Sequence, residues 1–232
     1  MTAMLEVRGL RAGYGATPVL LGVDLDVGPG EVVGVAGLNG VGKTTLLRAL
    51  SGVVRCSADR LSLDGRPRPA HPRKIAAGGL IHVPEGRRVF ADLSVIDNLR
   101  YGAGAVGRWA QARQRLDDVF AEFPRLPELA GRRAGLLSGG EQQMVAVARG
   151  LMAMPRVLVV DEFSLGLSPK ATLEICRTLV RAARRDGFAL LMVDQNIALL
   201  ASHCDRIYQL RAGVAEPFDN AGGQNTIKAA YF

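Results

Sequence analysis

The most informative stretch of this 232-residue chain is Gly37-Leu-Asn-Gly-Val-Gly-Lys-Thr-Thr45. It fits the pattern G-x-x-x-x-G-K-[ST], in which a glycine-rich loop turns its backbone N–H groups toward phosphate oxygens. The apolar run before it, Glu31–Ala36, has the length of a buried strand, and the run after it, Thr44–Leu50, has helical spacing. Strand, glycine loop and helix are the context that this motif requires. The sequence therefore predicts a phosphate-binding loop in an α/β fold.

The residue types of the loop suit this chemistry. Its glycines permit close backbone approaches that a Cβ would block, and the positive end of the following helix favours an anion. Lys43 is expected to reach the β- and γ-phosphates of a nucleotide, and the Thr44 hydroxyl is expected to complete a Mg²⁺ shell. The expected phosphate-binding residues are Gly37, Leu38, Asn39, Gly40, Val41, Gly42, Lys43, Thr44 and Thr45.

Composition and charge narrow the class of protein. The hydrophobic share of 48% and the charged share of 22% are typical of soluble globular proteins. The longest apolar stretches, such as Phe188–Val193, are far shorter than a membrane span, and the N-terminus carries no export signal. The net charge is +7, but the basic residues are scattered in pairs and aromatic residues make up only 5%. We therefore expect a cytoplasmic protein without a nucleic-acid partner, unless another subunit holds it at a membrane.

Two acidic positions follow apolar runs. The run Arg156–Val160 ends in Asp161 and Glu162. Beside a phosphate loop, the first acid can support Mg²⁺ and the second can orient an attacking water. The run Ile75–Val83 leads to Glu85, and a carboxylate at the carboxyl end of a strand lies where α/β sheets bind ligands. By residue type alone, Glu85 also fits an ordinary loop carboxylate.

The segment Leu137-Ser-Gly-Gly-Glu-Gln-Gln143 contains a pair of adjacent glycines. Ser138 and Glu141 have the spacing of a capping box, which gives a purely structural interpretation. The glycines Gly139 and Gly140 make a poor helix start, however, and suit a backbone that approaches an anion closely. Both interpretations remain open on these residues alone.

The domain organisation follows from a change of pattern along the chain. We interpret residues 1–232 as a single domain. Residues 1–93 would hold an antiparallel β subdomain and the phosphate loop, 94–154 an inserted helical subdomain, and 155–232 the rest of the core. Within the insert, apolar residues recur at spacings of three and four from Trp109 onward. This spacing predicts a helix whose apolar face, including Trp109, packs in the core.

The phosphate loop, the Leu137–Gln143 segment and the strand ending in Asp-Glu occur in this order, with a helical insert between them. Over essentially the whole chain this resembles the ATP-binding subunits of ABC transporters. The resemblance implies an α/β P-loop cassette with a mixed, largely parallel core sheet, an antiparallel β subdomain and a helical subdomain. It also implies ATP and Mg²⁺ as ligands, ATP hydrolysis, and a head-to-tail dimer of two such domains around two ATP molecules.

The resemblance assigns roles to the matching positions. Tyr14 would stack on adenine, and Glu162 would be the base that polarises water. Glu85 would either touch Mg²⁺ or couple the site to membrane subunits. The expected catalytic residues are Glu162, Lys43 and Gln195. The expected Mg²⁺ residues are Thr44, Asp161 and Glu85. The ATP of the opposite subunit would be contacted by Ser138, Gly139, Gly140 and Glu141.

Three positions depart from the usual family pattern. Glu85 replaces a glutamine, Gln195 replaces the switch histidine, and Phe163 replaces a proline. The first two departures, Ser164–Leu167 and the terminal Ala230–Phe232 are similar to the branch that serves branched-chain amino acid importers. Because glutamine can donate a hydrogen bond but cannot carry a charge, we expect slower or partner-dependent hydrolysis.

The expected function is an ATP-hydrolysing subunit of an importer for branched-chain or related amino acids. Its expected partners are a second ATP-binding subunit, transmembrane permease subunits and, indirectly, a solute-binding protein, at the cytoplasmic face of the membrane. One alternative is an ATP-dependent dimerisation switch with little hydrolysis. Another is a soluble ABC ATPase acting on DNA or ribosomes, although the chain has neither a long coiled-coil insert nor tandem cassettes.

Overall fold

The computed structural model describes residues 3–218. The strands in that part of the chain are β1 (Leu5–Tyr14), β2 (Thr17–Val27), β3 (Val32–Ala36), β4 (Cys56–Ser57), β5 (Arg60–Leu63), β6 (Arg66–Pro67), β7 (Leu80–Val83), β8 (Val157–Asp161), β9 (Ala189–Asp194), β10 (Arg206–Arg211) and β11 (Val214–Phe218). The α-helices there are α1 (Lys43–Leu50), α2 (Pro72–Ala77), α3 (Val95–Ala105), α4 (Ala112–Glu122), α5 (Leu126–Leu129), α6 (Gly139–Met152), α7 (Pro169–Asp186) and α8 (Ile197–Ala201).

The central sheet has six strands in the order β11-β10-β3-β9-β8-β7, and all neighbours are parallel except β10 and β11. Every residue of β8 is buried, because alternate side chains enter two different apolar clusters. Leu158 and Val160 pack in the cluster that contains α6 and α7, whereas Val157 and Val159 pack in the cluster that contains α1. Nearly continuous apolar strands are what a parallel sheet covered on both faces requires. The predicted mixed, largely parallel sheet is confirmed.

The second sheet is antiparallel, in the order β2-β1-β5-β6, with β4 also paired to β1. β1 and β2 form a hairpin whose last pair is Tyr14 and Thr17. Inward side chains of β1, including Leu5 and Val7, share a cluster with Leu46 of α1. This packing sets the end of β1 beside the helix that follows the phosphate loop.

The helices α3 to α6 lie between β7 and β8 in the chain, within residues 94–154. Val119 and Phe123 are buried, but Trp109 is 61% exposed, so the prediction of a core position is wrong for Trp109. The reason is that α4 begins only at Ala112, and Trp109 lies in a preceding 3₁₀ turn, off the helical stripe. Its ring covers Gly104 of α3, where a Cβ would lie 2.5 Å from the indole Cε2.

Within residues 3–218, no helix is long and apolar enough to cross a membrane. The terminal Ala230–Phe232 similarity lies outside the described residues.

Candidate functional site

The predicted site residues follow strands that end at one edge of the central sheet. β3 leads into the phosphate loop, β7 ends two residues before Glu85, β8 ends at Asp161, and β9 ends just before Gln195. These four strands are parallel neighbours, so their carboxyl ends meet at the same edge. Open α/β sheets bind ligands at this edge.

The phosphate loop needs its glycines for two different reasons. Gly40 and Gly42 have φ of 82° and 109°, in the region that L side chains rarely adopt. Gly37 has no such φ, but a Cβ there would lie 2.9 Å from the carbonyl oxygen of Leu210. The loop ends where α1 begins at Lys43, so the positive end of that helix faces the loop.

Lys43 is buried, with 3% of its side chain exposed, and its ammonium is fully engaged within the site. The Nζ donates to the carbonyl oxygens of Gly37 and Leu38 at 2.8 and 2.9 Å. It also lies 2.9 Å from Oε1 of Glu162, whose side chain is 11% exposed. The predicted phosphate-binding lysine and the predicted base are therefore paired with each other.

Glu162 has an unusual backbone conformation for a residue with a side chain, since its φ is 38°. Its N–H donates to the carbonyl oxygen of Val193 at 2.8 Å, which fixes it against the end of β9. The next residue, Phe163, is 1% exposed and packs in the cluster with α6 and α7. The departure from the usual proline thus supplies an apolar anchor that holds the backbone behind the acid.

Asp161 is completely buried, and neither carboxylate oxygen has a hydrogen-bond partner among residues 3–218. Burial raises the pKa of Asp161 to about 6, and the negative charges of Glu162 and Glu85 add to the rise. The nearby Thr44 hydroxyl and Lys43 ammonium act in the opposite direction. An unpaired buried carboxylate beside a hydroxyl is the donor set that a hard divalent cation such as Mg²⁺ prefers.

Gln195 and Glu85 lie at the rim of this site. Gln195 is exposed just past β9, and Glu85 is half-buried just past β7. Asn196 caps α8 by accepting from the N–H of Leu199, which fixes the segment that carries Gln195. Both predicted residues therefore lie at the carboxyl edge of the sheet.

The hairpin of β1 and β2 places Tyr14 beside α1. Its hydroxyl accepts a hydrogen bond from Arg48 at 3.3 Å. A hydrogen bond with Thr45 lowers the pKa of Tyr14, and Arg48 contributes to the same effect. Tyr14 as a whole remains 47% exposed. An anchored hydroxyl and an exposed ring leave the face of Tyr14 available for stacking.

The start of α6 has the predicted capping box. Glu141 N–H donates to the Ser138 hydroxyl, and Ser138 N–H donates to the Glu141 carboxylate at 3.0 Å. These bonds with Ser138 lower the pKa of Glu141. Ser138 is exposed, and Gly139 and Gly140 are half-buried. Among residues 3–218, no hydrogen bond or ion pair joins this segment to the phosphate loop.

Two further residues at this edge are not apparent from the sequence motifs. Asp194 is completely buried at the end of β9, and its Oδ1 accepts from the N–H of Asn196 at 2.9 Å. Arg87 lies two residues beyond Glu85 and reaches the start of α6. An acid at the end of an apolar strand is a usable sequence signal for Asp194, whereas the contacts of Arg87 depend on tertiary structure.

The fold and the site together define a nucleotide-binding α/β protein with a phosphate loop. The sequence matches the family described as ABC transporter over residues 20–164. It is 37% identical over 211 residues to the high-affinity branched-chain amino acid transport ATP-binding protein BraG of Pseudomonas aeruginosa, covering 90% of each chain. It is also 37% identical over 221 residues to the ribose import ATP-binding protein RbsA of Pseudomonas putida, covering 91% of this chain and 42% of that protein.

A solved structure described as the ATP binding subunit of an ABC transporter superposes with a TM-score of 0.82 at 26% identity, covering 98% of this chain and 93% of that one. The chain belongs to the ABC transporter family. It is an ATPase with the α/β cassette fold of that family.

Proposed function

We propose that this ATPase is the motor subunit of a membrane importer for branched-chain or related amino acids. The observation that carries the motor role is the buried pair of Lys43 and Glu162 beside the unpaired carboxylate of Asp161. These are the three side chains that binding a triphosphate and activating water require. The similarity to BraG over 90% of both chains supports the substrate class.

In the proposed reaction, the glycine loop and Lys43 hold the phosphates of ATP. Water attacks the γ-phosphorus, the bond from that phosphorus to the bridging oxygen of ADP breaks, and Glu162 accepts the proton of the water. Glu162 has 11% of its side chain exposed, so it sits in a site from which most water is excluded. Its fixed backbone, bonded to Val193, keeps the carboxylate oriented without reorganisation during the reaction.

The ion pair of Lys43 and Glu162 links ATP binding to the release of the base. A γ-phosphate offers Lys43 an anion that replaces the carboxylate, and Glu162 is then free to accept a proton from water. Without such an anion, Lys43 and Glu162 lie 2.9 Å apart and neutralise each other. We therefore propose that the base becomes available only when a triphosphate is present.

We further propose that Thr44 and Asp161 hold Mg²⁺, with Glu85 nearby. The orphaned oxygens of Asp161 are the supporting observation. Mg²⁺ is usually bound through one or two carboxylates together with substrate phosphates, and it neutralises charge on the β- and γ-phosphate oxygens. This chain contributes the carboxylate and a hydroxyl.

A second copy or a homologous subunit would complete the site. The exposed Ser138 and the two glycines after it present backbone N–H groups at the start of α6, away from the phosphate loop of the same chain. We propose that Ser138, Gly139, Gly140 and Glu141 contact the γ-phosphate of ATP bound to the opposite subunit. Permease subunits, and through them a solute-binding protein, would anchor the dimer peripherally at the cytoplasmic face of the membrane.

The proposed function is tested by reconstitution. The full chain would be purified with the membrane subunits encoded beside its gene and placed in proteoliposomes, and the solute-binding protein encoded there would be added. We expect ATP hydrolysis to rise with those subunits and leucine uptake to depend on ATP. Uptake of ribose without leucine uptake would overturn the substrate class, and ATP turnover without uptake of any solute would overturn the importer role.

Removing the ring of Tyr14 tests the proposed adenine contact. We expect Tyr14→Ala to raise the Kd for ATP about tenfold, because base–aromatic stacking contributes about 1–3 kcal/mol. Tyr14→Phe keeps the ring and is expected to change the Kd by less than about threefold, since it loses only the bonds to Arg48 and Thr45. The Kd would be measured by titration calorimetry. Inorganic triphosphate, which has no base, is the matched ligand, and an equal loss of its affinity in Tyr14→Ala would contradict stacking.

Gln195 is proposed to donate a hydrogen bond to the γ-phosphate. We expect Gln195→Ala to slow single-turnover hydrolysis in the assembled complex about tenfold, because a hydrogen bond to a charged group is worth about 1.5–3 kcal/mol. Gln195→His restores a donor that can also carry charge, so its rate should equal or exceed that of the wild type. An unchanged single-turnover rate in Gln195→Ala would rule out this role.

A further inference from the structure

Arg87 occupies a position between two glycines that belong to different parts of the site. Its Nη2 donates to the carbonyl oxygen of Gly166 at 2.9 Å. Its guanidinium also covers Gly139, the first residue of α6, where a Cβ would lie 2.6 Å from Cζ of Arg87 and 2.8 Å from its Nη2. A Cβ on Gly166 would lie 3.0 Å from the same Nη2. A side chain on either glycine would therefore require this guanidinium to move.

The backbone of Arg87 is adapted to this placement. Arg87 has φ of 58° and follows Gly86 with φ of 85°, so a non-glycine residue adopts a conformation that L side chains rarely take. Strain of this kind persists where the surrounding structure holds it, and it is common at functional sites. The turn directs the side chain away from β7 and toward α6.

The rest of the loop Glu85–Phe90 is also held against α6. Arg149, on the last turns of that helix, donates to the carbonyl oxygen of Arg88 and lies with its Cζ 4.8 Å from the centroid of the Phe90 ring. The loop therefore contacts α6 at its first residue through Arg87 and near its end through Arg149. A shift of α6 along its axis would move the loop with it.

We propose that Arg87 is a positioning residue that couples the start of α6 to the loop Glu162–Leu167. The proposal rests on the proposed function, in which the start of α6 engages ATP on the opposite subunit. Gly166 belongs to the loop that begins at Glu162, the proposed base. The N–H of its neighbour Leu167 donates to the carbonyl oxygen of Ser164 at 3.2 Å. A guanidinium that is bonded to Gly166 and packed against Gly139 can pass a displacement of Gly139 by the opposite nucleotide on to the loop behind Glu162.

Stability alone does not account for this contact. A cation at the N-terminus of a helix is opposed by the helix dipole, and among residues 3–218 Arg87 forms no ion pair that would offset this repulsion. The planar fork of arginine can contact two segments at once, which the point charge of lysine cannot. Arg87 is thus suited to passing a movement of the start of α6 on to the loop Glu162–Leu167.

The test compares ATP hydrolysis by the wild type and Arg87→Ala, each as the full chain assembled with the membrane subunits encoded beside its gene. We expect kcat to fall about tenfold or more while KM changes less than about threefold, because misplaced groups act on the transition state. We expect the Hill coefficient for ATP to fall from above about 1.5 to about 1, since coupling between two sites is lost. The Tm should change by less than about 3 °C, because one half-exposed hydrogen bond is exchanged for relief of the dipole repulsion.

Two variants serve as controls. Arg88→Ala removes an equal charge from the next residue, whose Nε donates to the carbonyl oxygen of Glu85 in its own loop, and it should behave as the wild type. Arg87→Lys keeps the charge but loses the fork, and it should resemble Arg87→Ala. Full activity and cooperativity in Arg87→Lys would overturn the proposal, as would equal defects in Arg88→Ala and Arg87→Ala.

A double-mutant cycle with Gly139→Ala gives an independent measurement. The added Cβ takes the space of the guanidinium, so Gly139→Ala should reproduce the loss of kcat and of cooperativity. The variant carrying both Gly139→Ala and Arg87→Ala should lose no more than Gly139→Ala alone, whereas a full further loss on adding Arg87→Ala would overturn the coupling. A wild type without ATP turnover would count against the proposed motor. If the wild type is cooperative and Arg87→Ala is equally cooperative, the role given to Arg87 is wrong and the proposed motor function is not affected.

Discussion

Glu162→Gln is expected to lower the kcat for ATP hydrolysis at least about 100-fold, because general-base catalysis contributes roughly 10²–10⁴-fold and the amide cannot accept the proton. The substitution keeps the shape of the side chain, and the amide oxygen can still accept from Lys43, which lies 2.9 Å from Oε1. ATP affinity should be unchanged or higher, since an uncharged group competes less with the γ-phosphate for Lys43. Steady-state phosphate release and equilibrium ATP binding measure the two quantities separately.

Glu174→Gln is the matched control for this experiment. Glu174 is exposed on α7 and is none of the proposed site residues, so its substitution removes the same charge and should leave kcat unchanged. If Glu162→Gln retained more than about a tenth of wild-type turnover, another group would have to serve as base, and the role given to Glu162 would be wrong.

Lys43→Ala is expected to raise the Kd for ATP about 100-fold, because charge-assisted hydrogen bonds to phosphates are worth about 1.5–3 kcal/mol each. The same substitution removes the ion-pair partner of the Glu162 carboxylate, whose side chain is only 11% exposed. We therefore also expect the nucleotide-free protein to lose about 1–3 kcal/mol of unfolding free energy. Titration calorimetry and denaturant unfolding measure these effects.

The stability effect can be separated from the binding effect with a second substitution. Adding Glu162→Gln to Lys43→Ala removes the unpaired charge, so the unfolding free energy should recover while ATP binding stays weak. Lys74→Ala, on the exposed surface of α2, controls for the loss of one lysine charge. Equal stability of Lys43→Ala and the wild type would show that the ion pair contributes nothing to the folded state.

The sequence predicted the parts of the fold that depend on local patterns. The phosphate loop between β3 and α1, the acids after β8 and the capping box at Ser138 each appear at the predicted residues. Each of these features is specified by residue types within a few positions of one another. Their convergence at one sheet edge also follows, because parallel strands share their carboxyl ends.

Features that depend on tertiary contacts were not predictable in this way. Trp109 has helical spacing with buried residues, yet a 3₁₀ turn places it outside because it covers Gly104 of α3. The short helix α2 has only six residues, too few to show a helical period. Likewise, the pairing of Lys43 with Glu162 joins residues 119 positions apart (162 − 43), so no local pattern reveals it.

We expect the ion pair of Lys43 and Glu162 to disfavour simple anions relative to nucleotides. A small anion such as chloride, sulfate or inorganic phosphate would have to displace a carboxylate already seated 2.9 Å from the ammonium, and it can fill only part of the loop. A nucleotide brings a chain of phosphates for the loop and a base for Tyr14, so its many contacts together offset that exchange. The internal counter-ion is thus expected to favour a ligand that contacts several parts of the site at once over one that contacts Lys43 alone.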